Sequence, residues 1–472
     1  MNVIPNYYNN VFRKEGLNKY LCRNSLNKSC SKDMPQMVKQ NRQVLYAKIP
    51  QIISIRHTAK SIIGNSNSSY KKFWNQNRKV FNNMCNKLQH YHDYNKKECM
   101  RTLQLIKYDL GNTKRLKLIM HWTRYLGPER LGINYGEQNF EECPIRNCYL
   151  IRNKLYLVPL AHALIFNPKN SFKNFAYPKI GRDLSQRWIF LSREPPTHLN
   201  IPPILLKDIF NWTMTYKSDS DISIPWGIVK TKHKGQNLKG LYENILGRYE
   251  NKYDMHRIRQ KALSPGGKIA WFVSNCHPSS HRQSIAKELN KYITVDIYGV
   301  CGNDTCKITE DSKCLNMIQN NYKFYLSFEN SLCKDYVTEK FYKILGLDIL
   351  PIVYGGVNYD ELMPFKDKKV FVNVFDFHTV KDLAHHILWL DSNPEEYIKY
   401  FNWKEKYESA KINYWCKLCE KLNNPQHNVE KFYGSPMNWF SKKDCVKVPL
   451  IYSNNSINLR KIKQSLKKMN NV

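Results

Sequence analysis

Two Rossmann-like α/β domains facing a cleft are the architecture this sequence predicts, and three observations predict it. Apolar runs of strand length alternate with helical text through the middle of the chain. The alternation is interrupted at Pro265-Gly-Gly267, after a charged helical stretch over 242–261. In the second half, strands end in polar loops that lead into helices, which is how parallel strands are joined. At 472 residues the chain is long enough for two such domains and one appendage.

Taken in order, residues 1–105 are polar, basic and rich in Asn, and they predict a poorly ordered basic stem. The first domain, 106–255, has apolar runs at 116–122, 155–160, 163–166, 187–192 and 211–216. The second domain, 256–446, has strands predicted over 268–273, 295–299, 322–328, 349–356 and 370–374. Its helices are expected over 282–290, with Ser279 or Ser280 as cap, from Thr338 onward, over 380–390 and over 394–407. The basic tail, 447–472, is expected to be mobile.

Hydrophobic content of 42% and 13% aromatics exclude a largely disordered chain. A net charge of +35 suits a polyanionic partner. The basic residues are scattered rather than blocked, however, so most of them read as solvated surface. No aromatic-interleaved basic motif of an RNA-binding sheet is visible, so no nucleic-acid partner is expected.

Fourteen cysteines, several closely spaced, fit disulfides in an oxidising compartment. The alternative is zinc, because Cys416-Lys-Leu-Cys419 is half of a common site, but no partner half stands at finger spacing. Sequons at Asn27, Asn67, Asn211, Asn303 and Asn454 suit the secretory route. Against it, the sequence has no run of eighteen apolar residues and no signal-peptide core near Met1. Neither a dinucleotide fingerprint nor a P-loop follows a predicted strand.

The richest stretch is Tyr325-Leu-Ser-Phe-Glu-Asn-Ser-Leu-Cys-Lys-Asp-Tyr-Val-Thr-Glu-Lys340. A buried strand, a polar loop and a helix start in succession make a place for an anion. Glu329, Asn330, Lys334, Tyr336, Glu339 and Lys340 exceed what a turn needs. Lys340 opposes the dipole of the helix it opens, which argues for a task. Glu329 and Glu339 suit sugar hydroxyls; a capping partner and a solvated acid are the plainer alternatives. Tyr336 reads equally as packing. Arg282, early in a helix after a strand, is placed to meet a phosphate, and the plainer reading is a surface arginine. In the first half, Glu194 ends a strand and is followed by two prolines that fix its turn, as suits a general base. Asp219-Ser-Asp221 has the form of a metal motif, but a polar turn is the simpler account. His198 and His277 are candidate bases of lesser weight.

The segment Phe328-Glu-Asn-Ser-Leu-Cys-Lys-Asp-Tyr-Val-Thr-Glu-Lys340 resembles the donor-site signature of the α-1,3-fucosyltransferases. Ser274-Asn-Cys-His-Pro-Ser-Ser280 with Arg282, Lys287 to Gly299, Leu388-Trp-Leu-Asp391 and Trp415-Cys-Lys-Leu-Cys-Glu420 are similar to the same family. So are Glu194-Pro-Pro-Thr-His198 and Asn211-Trp-Thr-Met-Thr-Tyr216 in the first half, and the likeness runs over 116–445. The resemblance implies a GT-B fold and inverting transfer of L-fucose from GDP-β-L-fucose to the 3-hydroxyl of N-acetylglucosamine in a glycan or glycoprotein. It implies Glu194 as base and Arg282, Tyr336, Glu339 and Lys340 as donor contacts, with Glu329 and Asn330 of the same motif beside them. The resemblance also implies that no metal is needed for the chemistry, a divalent ion being at most stimulatory. A Golgi location and membrane attachment belong to the family, although no anchor segment stands in this sequence. Pro195 departs from the family's usual Ser. The alternative function is a basic polyanion- or nucleic-acid-binding protein with a degenerate transferase core.

Overall fold

Strands buried on both faces read as unbroken apolar runs, and such strands make the two sheets. The first sheet comprises β1 (Lys117–His121), β2 (Cys148–Arg152), β3 (Ala163–Phe166), β4 (Arg187–Ser192), β5 (Trp212–Thr215) and β6 (Ile222–Ser223). Their order is β2-β1-β3-β4-β5-β6 and every pair is parallel. All six residues of β4 are buried. The structure is a computed structural model. It describes residues 116–123, 135–152, 157–158, 161–167, 185–199, 206, 208–232, 253–264, 266–302, 311–366, 369–428, 439–448 and 458–470. All of these belong to one unit, Ala59–Val472. The expected stem and four of the five sequons fall outside the described residues.

After β7 (Ile228–Thr231) and α1 (Met255–Leu263), the second half runs β8 (Ile269–Phe272), α2 (Arg282–Leu289), β9 (Val295–Tyr298), α3 (Asp311–Asn321) and β10 (Phe324–Phe328). It continues through β11 (Leu332–Cys333), α4 (Glu339–Leu345), β12 (Leu350–Tyr354), β13 (Val372–Asn373), α5 (Val380–Ser392) and α6 (Pro394–Lys399). It ends with β14 (Tyr407–Ala410), α7 (Tyr414–Asn423), β15 (Cys445–Val446) and α8 (Leu459–Asn470). The second sheet is parallel, in the order β13-β12-β10-β8-β9. One of its faces packs on α2, α5 and α8, the other on α3 and α4. The predicted pair of parallel-sheet α/β halves, of GT-B type, is therefore what the chain forms.

Both sheets share a strand order in which the first strand lies between the second and the third. The order reverses between β1 and β3, and again between β8 and β10. Crevices at the carboxyl ends beside such reversals are where open α/β sheets take ligands.

Several expectations need correction. The limits 106–255 and 256–446 are contiguous in sequence, but the packing is not. Tyr414, Trp415, Leu418 and Leu422 of α7 belong to the first sheet's core. They pack there because Cys416 and Cys419, one helical turn apart, are bonded to Cys143 and Cys148. The Cys-x-x-Cys pair is thus two disulfides, as the cysteine count indicated. β2 was not anticipated, and Leu157 and Val158 of the apolar run over 155–160 lie in a short helical turn. Neither Ser279 nor Ser280 caps α2. Its N-cap is His281, with φ 50°, and Ser280 Oγ donates to Glu329 O at 2.8 Å. The tail is not wholly loose either, since Leu459, Ile462 and Leu466 of α8 are buried in the second core. The Asn211 sequon is structural: the side chain is buried and accepts from Trp188 N at 2.8 Å.

The two disulfides on α7 close loops of more than 250 residues (separations 273 and 271). Cys419→Ser is expected to cost about 2–5 kcal/mol, seen as a lower urea midpoint under non-reducing conditions. An unchanged midpoint would mean the bond does not help to hold α7 on the first sheet.

Candidate active site

The crevice between β8 and β10 is lined by the loops that follow them. Arg282 opens α2 directly above it and is 2% exposed, which rules out a surface arginine. Its guanidinium donates to Phe328 O at 2.5 Å and to Asn275 O at 3.3 Å, spanning the ends of both strands. Burial lowers its pKa and Glu329 opposes that; an arginine stays charged under such shifts. Its Nε is buried without a hydrogen-bond partner, and so is Asn330 Oδ1.

Glu329 directly follows β10 and is wholly buried. Thr338 N donates to its Oε1 at 2.8 Å, and Thr338 Oγ1 lies 3.0 Å from both oxygens. Lys340 Nζ stands 3.6 Å from Oε2. Burial raises the Glu329 carboxyl, with Lys340 pulling the other way. Glu329 therefore lies beneath the loop, as a brace for the Thr338 cap. The cap itself is as predicted: Thr338 accepts from Lys340 N.

Lys340 also donates to Thr338 Oγ1 at 2.8 Å and to Glu339 Oε1 at 3.1 Å. Burial works to lower its pKa, but Glu339 and Glu329 outweigh it and raise it. Two carboxylates thus offset the unfavourable dipole at this helix start. Glu339 is the more exposed partner, at 42%. Partial burial pushes its carboxyl up, yet Lys340 prevails and holds it below the usual range. Tyr336 is buried 4.9 Å, ring to ring, from Tyr216 of the first half. Burial, then the charge of Glu194, raises its phenol well above the ordinary value, so it stays neutral.

Glu194 follows β4 at the carboxyl edge of the first sheet. Its side chain is 21% exposed and its Oε2 lies 3.1 Å from His198 Nδ1. Its charge acts on Tyr216 in its own half and on Tyr336 and Glu339 across the cleft. The two halves meet here through the Tyr216 and Tyr336 rings and through Thr197 and Ser331, which sets the turn after Glu194 against the loop that carries Tyr336 and Glu339. The motif at Asp219 and Asp221 serves the fold. Asp221 Oδ2 accepts from Thr213 N at 2.8 Å, and Asp219 Oδ2 from Trp439 Nε1 at 2.7 Å. His277 is exposed in a loop. Among the described residues no group of three or more His, Cys, Asp or Glu is placed to hold a metal. Likewise, none of their helices is long and apolar enough to cross a membrane.

The sequence reading missed a chain of hydroxyls between the halves. Thr197 Oγ1 lies 2.8 Å from Ser331 Oγ, which lies 3.0 Å from Ser279 Oγ. Hydroxyls carry no charge or spacing signal, so only the meeting of the loops reveals it.

Comparison with known proteins matches the model "Fucosyltransferase, N-terminal" over residues 114–227. The model "Glycosyltransferase family 10 (fucosyltransferase) C-term" matches over 264–439. The chain belongs to glycosyltransferase family 10, the fucosyltransferases. Among its fucosyltransferase relatives is glycoprotein 3-alpha-L-fucosyltransferase A of Drosophila melanogaster, 32% identical over 341 residues, or 70% of this chain and 62% of that one. The chain thus spans less than two thirds of that relative. Alpha-(1,3)-fucosyltransferase C of the same organism is 29% identical, over 69% of this chain and 78% of its own. Alpha-(1,3)-fucosyltransferase 4 of Bos taurus is 30% identical, over 55% and 62%. A crystal structure of an alpha1,3-fucosyltransferase with GDP-fucose overlays with a TM-score of 0.40 at 16% identity, covering 75% of this chain and 90% of that one.

Lys340→Met strands the buried Glu329 carboxylate, at a cost of about 3–5 kcal/mol. Without Lys340 the folded carboxyl pKa stands further above its unfolded value. The deficit therefore grows as pH rises through the raised carboxyl pKa of the wild type and shrinks in acid, where both proteins hold the proton. Thermal unfolding of both proteins between acid and neutral pH measures it; a deficit independent of pH would mean the pair is not electrostatic.

Proposed function

We propose that the protein transfers L-fucose from GDP-β-L-fucose to the 3-hydroxyl of an N-acetylglucosamine in a glycan, with inversion. The observation that carries this reading is the meeting of the turn that follows Glu194 with the loop that follows β10, where Thr197 Oγ1 lies 2.8 Å from Ser331 Oγ. Family membership supports it, as do the printed names of the relatives, which are α-1,3-fucosyltransferases.

In this reading the donor lies in the crevice beside β8 and β10. Arg282 Nε and Asn330 Oδ1, buried and unpartnered, are the atoms a bound nucleotide would satisfy. The acceptor oxygen attacks the fucose C1 from the face opposite the diphosphate, and Glu194 takes its proton. The C1–O bond to the diphosphate breaks, and its electron pair leaves with GDP. Lys340 and Arg282 supply positive charge toward that leaving group. Neutral Tyr336 closes the cleft wall without adding a competing anion. Glu339 is the exposed acid available to sugar hydroxyls, whereas Glu329 keeps Thr338 and Lys340 in place. In this reading the chain's own residues serve each step, and a divalent ion is at most stimulatory. A Golgi location goes with such a reaction.

Glu194→Gln should lower transfer about 10²–10⁴-fold and leave GDP-fucose affinity in calorimetry unchanged. A variant that turns over normally would remove Glu194 from the role of base. No transfer by the wild type to any of a panel of N-glycan acceptors would remove the reading as a whole.

A further inference from the structure

The mechanism above gives His198 no part, yet its ring lies against the proposed base. Nδ1 is 3.1 Å from Glu194 Oε2, with both side chains about one fifth exposed (23% and 21%). A carboxylate oxygen only accepts, so Nδ1 carries the proton and donates it. The turn that joins the two residues is stiff. Pro195 sits at φ −72° and Pro196 opens the short helical turn Pro196–His198. Thr197, inside that turn, is tied to Ser331 of the opposite half at 2.8 Å. The turn over Lys442–Asp444 packs against it and brings Lys442, Lys443 and Asp444 to that side. Tyr216, Tyr336 and Glu339 feel the Glu194 charge from the remaining sides. The imidazole is thereby held in register with the donor loop.

We propose that His198 is the positioning residue for the base. Its Nδ1–H fixes the Glu194 carboxylate in the orientation that faces the acceptor hydroxyl. Because Thr197 is bonded to Ser331, the same turn sets that orientation relative to the bound donor. This rests on the fucosyl-transfer reading above. Glu194 alone accepts the substrate proton; His198 acts through it.

The test uses the full chain with His198→Ala and His198→Asn, whose amide N–H can replace the Nδ1–H. In His198→Ala, kcat should fall about tenfold to a hundredfold, with GDP-fucose affinity unchanged in calorimetry. A hydrogen bond to a carboxylate favours its charged form, so losing it raises the carboxyl pKa. The acid limb of the kcat/KM profile should therefore move to higher pH in His198→Ala, and His198→Asn should recover part of both effects. A merely structural residue would lower stability without moving that limb. A second measurement is independent of turnover: the NMR resonance of the ring N–H of the histidine that vanishes in His198→Asn, which should change position in Glu194→Gln, where a neutral amide replaces the carboxylate acceptor. If that resonance moves but the wild type transfers no fucose, the pair stands and the reaction reading fails. If neither the resonance nor the acid limb moves, the positioning role is overturned.

Discussion

A carboxylate with no access to water is the constraint on which the site depends. Glu329 is wholly buried at the end of β10, and an isolated charge there would cost several kcal/mol. Thr338 and Lys340 compensate it, and in doing so they fix the loop between β10 and α4. Thr338 becomes at once a ligand of Glu329 and the cap of α4. Lys340 is drawn to a helix start it would otherwise avoid and is left beside Glu339 at the cleft. One buried acid thus decides where the cation and the exposed acid stand.

The second condition is that the two halves stay in register, since the base and the donor loop lie on different sheets. The end of the chain supplies much of that. Phe440 packs on Phe190 and Tyr216 of the first half, at ring distances of 5.6 and 5.7 Å. Five residues on, Cys445 is bonded to Cys333 in the donor loop. Between them Lys217 Nζ reaches Trp439 O at 3.0 Å and Asp444 Oδ2 at 3.1 Å. Ser218 binds Asp335 directly, with N and Oγ donating at 3.0 and 2.7 Å. Asp335 holds a left-handed backbone there, φ 61°, which that double hydrogen bond helps to sustain. The cleft is therefore bordered by short polar ties and aromatic edges, and the disulfides at Cys333 and on α7 close long loops around it.

Much of the fold was legible in the sequence. β4, β10 and β12 are buried on both faces, so their apolar runs announce themselves without alternation. Thr338 as a cap, the helix over 380–390 and the break near Gly267 are local signals, and local chemistry settles them. β2 escaped notice because its Tyr149 and Arg152 interrupt the apolar run, and its place in the sheet comes from pairing with β1. The buried face of α8 was hidden among its lysines, since three apolar positions matter only where a core is ready to receive them.

For the site, the sequence by itself determined the two halves, the strand ends and the set of charged groups placed at them. Residue type and neighbours within a few positions decide those features. Only the tertiary structure decided which groups meet. It buried Glu329 and Arg282, left Glu339 open, returned α7 to the first sheet and set His198 against Glu194. Those outcomes depend on burial and on contacts between residues far apart in the chain, and both exist only once the sheets have packed.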